Sequence, residues 1–358
     1  MMKNYCRLLL LLSLQLTSSV AFTQPYSFAT AKSTNKHVIE SDPFDTARPN
    51  NTPRINRGGA LNMVPVLTQA TAILTSPTVK ALALANIIPT CIGYYKVEYG
   101  VSYAYGTATA ASAYLALQTI LEASASPFSA VAKLHALAII FYGVRLNLFL
   151  GWREFFNQRF RRMRERIEAR QKRKEEGTGI FGRILNRTPF ILSCALLYAG
   201  LAGPALSSAN LIKTASIPSC PYALLAYKAL VGMTWFGFLL AAVGDFQKSA
   251  SKAKNGSDHL VTSGVYSLFR HPNYTGECIG WGSSFLASIV AVIGTKSFDV
   301  AKSVAPYLTL SSLGVFGIFF VLMMAATNLE TRQEEKYGTS PEYKAWIESS
   351  WAGPTLKK

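Results

Sequence analysis

The stretch Ser263-Gly264-Val265-Tyr266-Ser267-Leu268-Phe269-Arg270-His271-Pro272-Asn273-Tyr274-Thr275-Gly276-Glu277 leads straight into an apolar run that continues to residue 294. A cation, an imidazole, an amide, two phenols and a carboxylate at the mouth of a membrane-length segment set a polar site beside an apolar phase. Pro272 suits the first turn of a helix, where its missing N–H costs nothing and the free N–H groups can face a phosphate or carboxylate. From that start Asn273 and Glu277 fall at i and i+4, with Arg270 and Tyr274 in a neighbouring row. The expectation is a helix whose water-facing end gathers polar side chains.

Composition extends this reading to the whole chain. Of 358 residues 50% are hydrophobic and only 15% charged, and the mean hydropathy is +0.21. That is too apolar for an ordinary soluble domain and predicts a polytopic, all-α transmembrane bundle. Apolar segments of spanning length fall at 79–95, 101–122, 128–150, 188–207, 221–243, 275–294 and 304–327, giving six or seven helices. A shorter apolar segment, 63–74, reads as a surface helix or as part of the preceding tract.

The net charge of +17 is concentrated between Trp152 and Arg187, where Arg159, Arg161, Arg162, Arg164 and Arg166 begin a basic run partly balanced by Glu165, Glu168, Glu175 and Glu176. Basic loops stay on the non-translocated side. Counting spans from this loop returns residues 245–271 and 330–358 to the same face, so three polar segments are expected to meet at one membrane surface. The run lies between apolar segments and lacks interleaved aromatic platforms, which argues for headgroups and against nucleic acid. Arg145 stands apart, inside the apolar run 137–150, where a charged side chain needs a partner, a wet cavity or a route to the interface.

Cys6, Cys91, Cys194, Cys220 and Cys278 are scattered, with no C-x-x-C pair and no histidine at ligand spacing. Neither a disulfide framework nor a metal site is expected.

At the N-terminus, Lys3 and Arg7 precede an apolar stretch and the small-residue pattern Ser19-Val20-Ala21, the layout of a secretory signal peptide over 1–21. Residues 22–62 are rich in Ser, Thr, Asn and Pro and cannot bury enough surface to fold alone. Phenylalanine directly after the cleavage pattern, Ala21-Phe22, resembles the bipartite plastid-targeting leaders of algae with complex plastids. The other reading is an endoplasmic reticulum signal followed by a linker. Residues 63–136 would then hold the N-terminal membrane helices and 137–358 a catalytic domain.

Three separated elements carry a family resemblance: the opening stretch, Gly244-Asp245-Phe246-Gln247-Lys248 upstream, and Glu330-Thr331-Arg332-Gln333-Glu334-Glu335-Lys336-Tyr337-Gly338 followed by Tyr343 and Pro354. Over 137–356 the chain resembles the C-terminal domain of the steroid 5-alpha-reductase superfamily, nearest to its steroid oxidoreductase-like membrane branch. Sterol reductases and isoprenylcysteine carboxyl methyltransferases are more distant relatives. The resemblance implies a pocket for NADPH or S-adenosylmethionine contacted by Lys248, Arg270, His271, Asn273 and Tyr274 and closed by Glu330 and Tyr337. Glu330, Glu334 and Tyr337 share a helix face at i, i+4 and i+7. The chain departs from sterol reductases at Leu329 and Gln333, and no steroid-specific signature is present.

NADPH phosphates need cations, and Lys248, Arg270, Arg332 and Lys336 supply a surplus. A reductase also needs an acid to protonate carbon opposite the hydride; Tyr266, Tyr274 and Glu277 are the candidates. The expected activity is reduction of a double bond in a lipophilic substrate, steroid, isoprenoid or fatty-acyl in kind. Methyl transfer from S-adenosylmethionine, with Glu277 and Glu330 holding the cofactor, is the enzymatic rival, and a membrane scaffold or transporter is the non-enzymatic one. Ser340-Pro341 predicts the start of a short amphipathic helix containing Tyr343, Trp346 and Ile347.

Overall fold

The computed structural model describes residues 77–123, 125–256 and 258–356. The leader, the tract over 22–62 and the segment 63–74 lie outside these residues. Thr23–Lys80 form a separate unit, of which only the first turn of one helix is described; the fold below belongs to the unit that runs from Ala81 to Lys358.

Among the described residues the chain is helical: α1 (Pro77–Thr90), α2 (Ile92–Tyr95), α3 (Val97–Val101), α4 (Tyr103–Leu121), α5 (Pro127–Phe156), α6 (Gln158–Lys174), α7 (Ile180–Lys213), α8 (Pro221–Asn255), α9 (Val265–Leu268), α10 (Pro272–Gly294), α11 (Phe298–Tyr337) and α12 (Pro341–Ser349). Extended structure among them is limited to one isolated parallel bridge, Phe269 with Trp351. Five helices, α5, α7, α8, α10 and α11, are long and apolar enough to cross a membrane. The chain is an integral membrane protein built as an all-α bundle.

Each boundary has a local cause. Ser126 and Ser129 form a reciprocal capping box at the start of α5, with Pro127 in the first turn. Asn157 breaks the run between α5 and α6 and caps α6 by accepting from the Phe160 amide at 3.0 Å. Ser297 caps α11 through the Val300 amide.

The expected span over 79–95 is not one helix. Pro89 ends α1 within a residue, and Lys96 adopts extended backbone (φ −139°, ψ 123°), so the segment breaks into α1, α2 and α3. The next expected span, 101–122, is α4. It is rich in Ala and Thr and buried along one face, packed against α5 and α7, so it needs less lipid-facing hydrocarbon.

α7 is the central helix, most of its apolar part buried, with α4 and α11 packed on it. α8 and α10 pack along more of their length than any other pair. They can do so because Gly237 and Gly276 leave no side chain between the two backbones. In the core, fully buried His135 is satisfied by Ser284 Oγ at 2.8 Å and Tyr227 at 3.3 Å, a polar pin between α5, α8 and α10.

Helix length then sets the site. The 40 residues of α11 extend about 60 Å at 1.5 Å per residue, against a hydrocarbon core of about 30 Å. α8, with 35 residues, also overshoots. Asp245-x-Gln-Lys follows the apolar part of α8, and the helix continues past it to Asn255. The polar ends of α5, α8 and α11 therefore project together from the bilayer on the side of basic helix α6, around the entrance to α10. On the opposite side the short link 214–220 meets the end of α10, Ser219 N–H donating to Gly294 O at 3.2 Å.

Candidate active site at the basic membrane face

The stretch that opened the sequence reading folds as a compact turn. Gly264 takes φ +64°, a backbone state that strains residues with a side chain, and starts the single turn α9. Gln247 on α8 holds this turn from both sides: its amide nitrogen donates to Ser263 O at 2.7 Å and its oxygen accepts from the Val265 amide at 3.1 Å. The chain then passes through His271, the residue ahead of α10, with Pro272 in the first turn as expected.

The C-terminal segment completes the turn. Trp346 Nε1 donates to Tyr266 O at 2.6 Å, Arg270 N–H donates to Trp351 O at 2.9 Å, and Trp351 N–H donates to Leu268 O at 2.9 Å. Tyr343 and Trp346 of α12 are buried against Leu260, with Tyr337 alongside. The short amphipathic helix is thus docked over residues 260–270.

Behind this surface lies a closed triad. His271 Nε2 donates to Glu330 Oε1 at 2.8 Å while Arg270 Nη1 pairs with Glu330 Oε2 at 3.1 Å. His271 is 1% exposed. Burial lowers its basicity below the usual histidine value, against the opposing pull of Glu330, so the neutral Nε2–H form donates to the carboxylate. This triad joins the start of α10 to the end of α11 and leaves Glu330 with a donor on each oxygen.

In front of it opens a cavity of about 1260 Å³, bounded by α5, α6, the end of α8, the 258–261 loop, the start of α10 and the end of α11. Arg153, Arg159, Arg162, Arg166, Lys248, Lys252, Arg332 and Lys336 stand on its wall, against the two carboxylates Asp245 and Asp258. Asn273, Tyr274, Tyr266 and Tyr337 also line it. The Asn273 Oδ1 is buried with no hydrogen-bond partner, so an acceptor is left open on the wall. On the lipid side the rim is apolar: Trp152 is 45% exposed and Phe156 78%.

Asp258 latches this face. It pairs with Lys336 Nζ at 2.5 Å and approaches Arg159 at 3.7 Å, and its carbonyl accepts from Tyr337 OH at 2.6 Å. The Lys336 ammonium holds the Asp258 carboxyl below its ordinary range. The basic helix, the loop after α8 and the end of α11 thus meet as the charge pattern predicted.

The residues singled out from sequence fall into three groups. Lys248, Asn273, Tyr274, Tyr266 and Tyr337 are on the cavity wall. Arg270, His271 and Glu330 are not; they pair with one another behind it. Glu277 lies one turn deeper along α10, 8% exposed, and accepts from Tyr105 OH at 3.4 Å. Tyr105 in turn accepts from Trp281 Nε1 at 2.8 Å. The Tyr266 hydroxyl, with burial pushing its pKa up, donates to Gly244 O at 3.1 Å. Arg145 has its partner: Asp245 Oδ2 at 2.6 Å.

Sequence reasoning missed Tyr105, Trp281, Arg153 and Asp258. Trp281 stands at i+4 from Glu277 and was visible as a helix neighbour; Tyr105 is 172 residues from Glu277 and carried no local signal.

Among the described residues no cluster of His, Cys, Asp or Glu has a metal-holding arrangement. No curated protein and no solved structure matches the chain. The family described as a protein of unknown function, DUF1295, matches residues 99–350, from α3 through α12 and so across the whole of this face, and the chain belongs to that family.

Proposed function

We propose that this protein is a membrane-bound, NADPH-dependent reductase acting on a double bond of a lipophilic substrate. The observation that carries the reading is the cation-lined cavity with an apolar, lipid-side rim. Its volume exceeds the range of about 300–1,000 Å³ usual for small-ligand pockets, room for a dinucleotide and part of a second molecule. The resemblance to the steroid 5-alpha-reductase superfamily supports the same reading.

NADPH bound there would supply the hydride. Arg153, Lys248, Lys252 and Arg332 can bind its phosphates by charge-assisted hydrogen bonds. Asn273 Oδ1 would accept from a cofactor amide or hydroxyl. Trp152 and Phe156 at the rim give an apolar molecule a path from the bilayer. Of the three proton-donor candidates Tyr274 is favoured, because its side chain lines the cavity, the Tyr266 hydroxyl is held by Gly244 and Glu277 lies deeper. The Arg270–His271–Glu330 triad acts by positioning, fixing the first turn of α10 and therefore Asn273 and Tyr274.

S-adenosylmethionine transfer to a lipophilic acceptor fits less well. A sulfonium calls for carboxylates, and both on this wall, Asp245 and Asp258, are already paired with cations. A scaffold or transporter would leave the open Asn273 acceptor without a use.

Thermal unfolding of the detergent-purified protein separates these readings. A ligand at 100 times its Kd stabilises the native state by about 2.7 kcal/mol, so NADPH is expected to raise the melting temperature clearly. Lys248→Ala and Asn273→Ala should each lose most of that rise while melting normally without ligand. Stabilisation by S-adenosylmethionine alone would reverse the cofactor assignment, and no shift with either would remove the enzyme reading.

A further inference from the structure

A second cavity, of about 360 Å³, lies on the far side of α6 between the α2–α3 junction, the end of α6 and the start of α7. Lys96, Lys172, Arg183 and Arg187 stand on its wall with Glu168. Arg187 is already used: Nε and Nη2 donate to the two oxygens of Glu175 at 2.9 and 2.8 Å, and Nη1 donates to Tyr94 O at 2.9 Å. Lys172 and Arg183 are exposed and make no ion pair among the described residues. Lys96 makes only a long contact, Nζ donating to Tyr99 OH at 3.4 Å, so three lining cations stand with one lining carboxylate, Glu168, whose Oε2 is buried without a hydrogen-bond partner.

The surroundings are those of a bilayer interface. Tyr95 is 70% exposed, and Ile180 at the start of α7 is 73% exposed on the same wall as the cations. Aromatic rings and hydrocarbon next to basic side chains at the water-facing end of a span match the headgroup level of a membrane. The junction that forms the wall exists because Lys96 breaks the helix and Arg187 ties the freed Tyr94 carbonyl.

We propose that this cavity binds the headgroup of an anionic glycerophospholipid, with Lys96, Lys172 and Arg183 on the phosphate, Glu168 accepting from a headgroup hydroxyl, and Ile180 and Ile184 against the acyl chains. The site is separate from the reductase cavity: no residue lines both, although opposite ends of α6 contribute to each.

The test is native mass spectrometry of the full chain in non-ionic detergent, titrated with phosphatidylglycerol or with phosphatidylcholine. Phosphatidylglycerol should bind at least about tenfold more tightly, and Lys172→Ala/Arg183→Ala should weaken it by about tenfold or more, bringing it near phosphatidylcholine. Arg161→Ala/Arg173→Ala, removing the same charge from α6 outside the cavity, should change it little, and matching melting temperatures without lipid would show that both variants fold. Equal binding of the two lipids, or equal weakening by the two double variants, would overturn the proposal. Displacement of phosphatidylglycerol by the same concentration of soluble glycerol phosphate would also overturn it, by making the ligand a free phosphate. None of these outcomes depends on NADPH binding, so the two proposals stand or fall separately.

Discussion

Arg145 shows what a single charged residue demands inside an apolar helix. Its guanidinium lies over the Tyr142 ring, 5.2 Å from its centroid, and pairs with Asp245, whose own side chain is only 16% exposed. Removing one member strands the other in a poorly hydrated place, at a cost of about 3–5 kcal/mol, whereas an apolar pair can be nearly neutral. Arg145→Met is therefore expected to lower the melting temperature sharply, with Arg145→Met/Asp245→Leu recovering much of the loss; a double variant as unstable as the sum of both singles would contradict the pairing. His271 gives a pH-dependent counterpart. Its folded-state basicity is depressed by burial, so its contribution to stability is complete above the ordinary histidine value of about 6.5 and is lost as pH falls through the folded value. Melting temperature should fall between pH 7.5 and pH 5, and fall less steeply in His271→Asn; parallel curves would refute the assignment. The sequence marked Arg145 as needing a partner, a wet cavity or a route to the interface, and the family resemblance put His271 and Glu330 at one pocket. It could not announce that the triad would turn inward, because whether a polar side chain meets a ligand or a neighbour depends on which helix end arrives beside it.

At the level of elements, the α8–α10 pair fixes the site. Asp245, Gln247 and Lys248 on one helix and Asn273 and Tyr274 on the other are in register because the backbones touch at Gly237 and Gly276. A Cβ on Gly276 would fall against the backbone of Gly237 and Ala241, atoms that cannot turn aside. Gly276→Val should cost about 1–3 kcal/mol through overpacking and should weaken NADPH stabilisation further than the same loss of stability made elsewhere. A variant that melts lower but keeps the full cofactor-induced shift would show that this close approach does not set the cavity. Helix starts were readable in advance, as at Pro272 and Pro341, because first-turn proline chemistry is local, although Ser340 makes no side-chain cap. The end of α8 was not: apolar content stops near residue 243, yet the helix runs to Asn255, since a backbone needs no hydrocarbon to keep its hydrogen bonds once it leaves the membrane.

For the whole molecule, charge and helix length act together. Basic helix α6, the 258–264 loop and α12 share one side, while 125–126, 214–220 and 295–297 lie at the other ends of the helices. A topology reporter at Lys358 or within 174–178 should read one compartment and a reporter within 214–218 the opposite one; agreement between the two would invert the placement of the cavity. The apolar runs, the basic loop and the three polar elements were enough to fix an all-α membrane bundle with its polar elements on one face, because spanning length, exclusion of charge from hydrocarbon and helix capping are each legible over a few neighbouring residues. Tertiary packing alone decided that Tyr105 reaches Glu277 and that Arg270 and His271 brace the cavity from behind. Those outcomes rest on contacts between residues dozens to hundreds of positions apart, and on helices overshooting the bilayer by different amounts, quantities that no local pattern encodes.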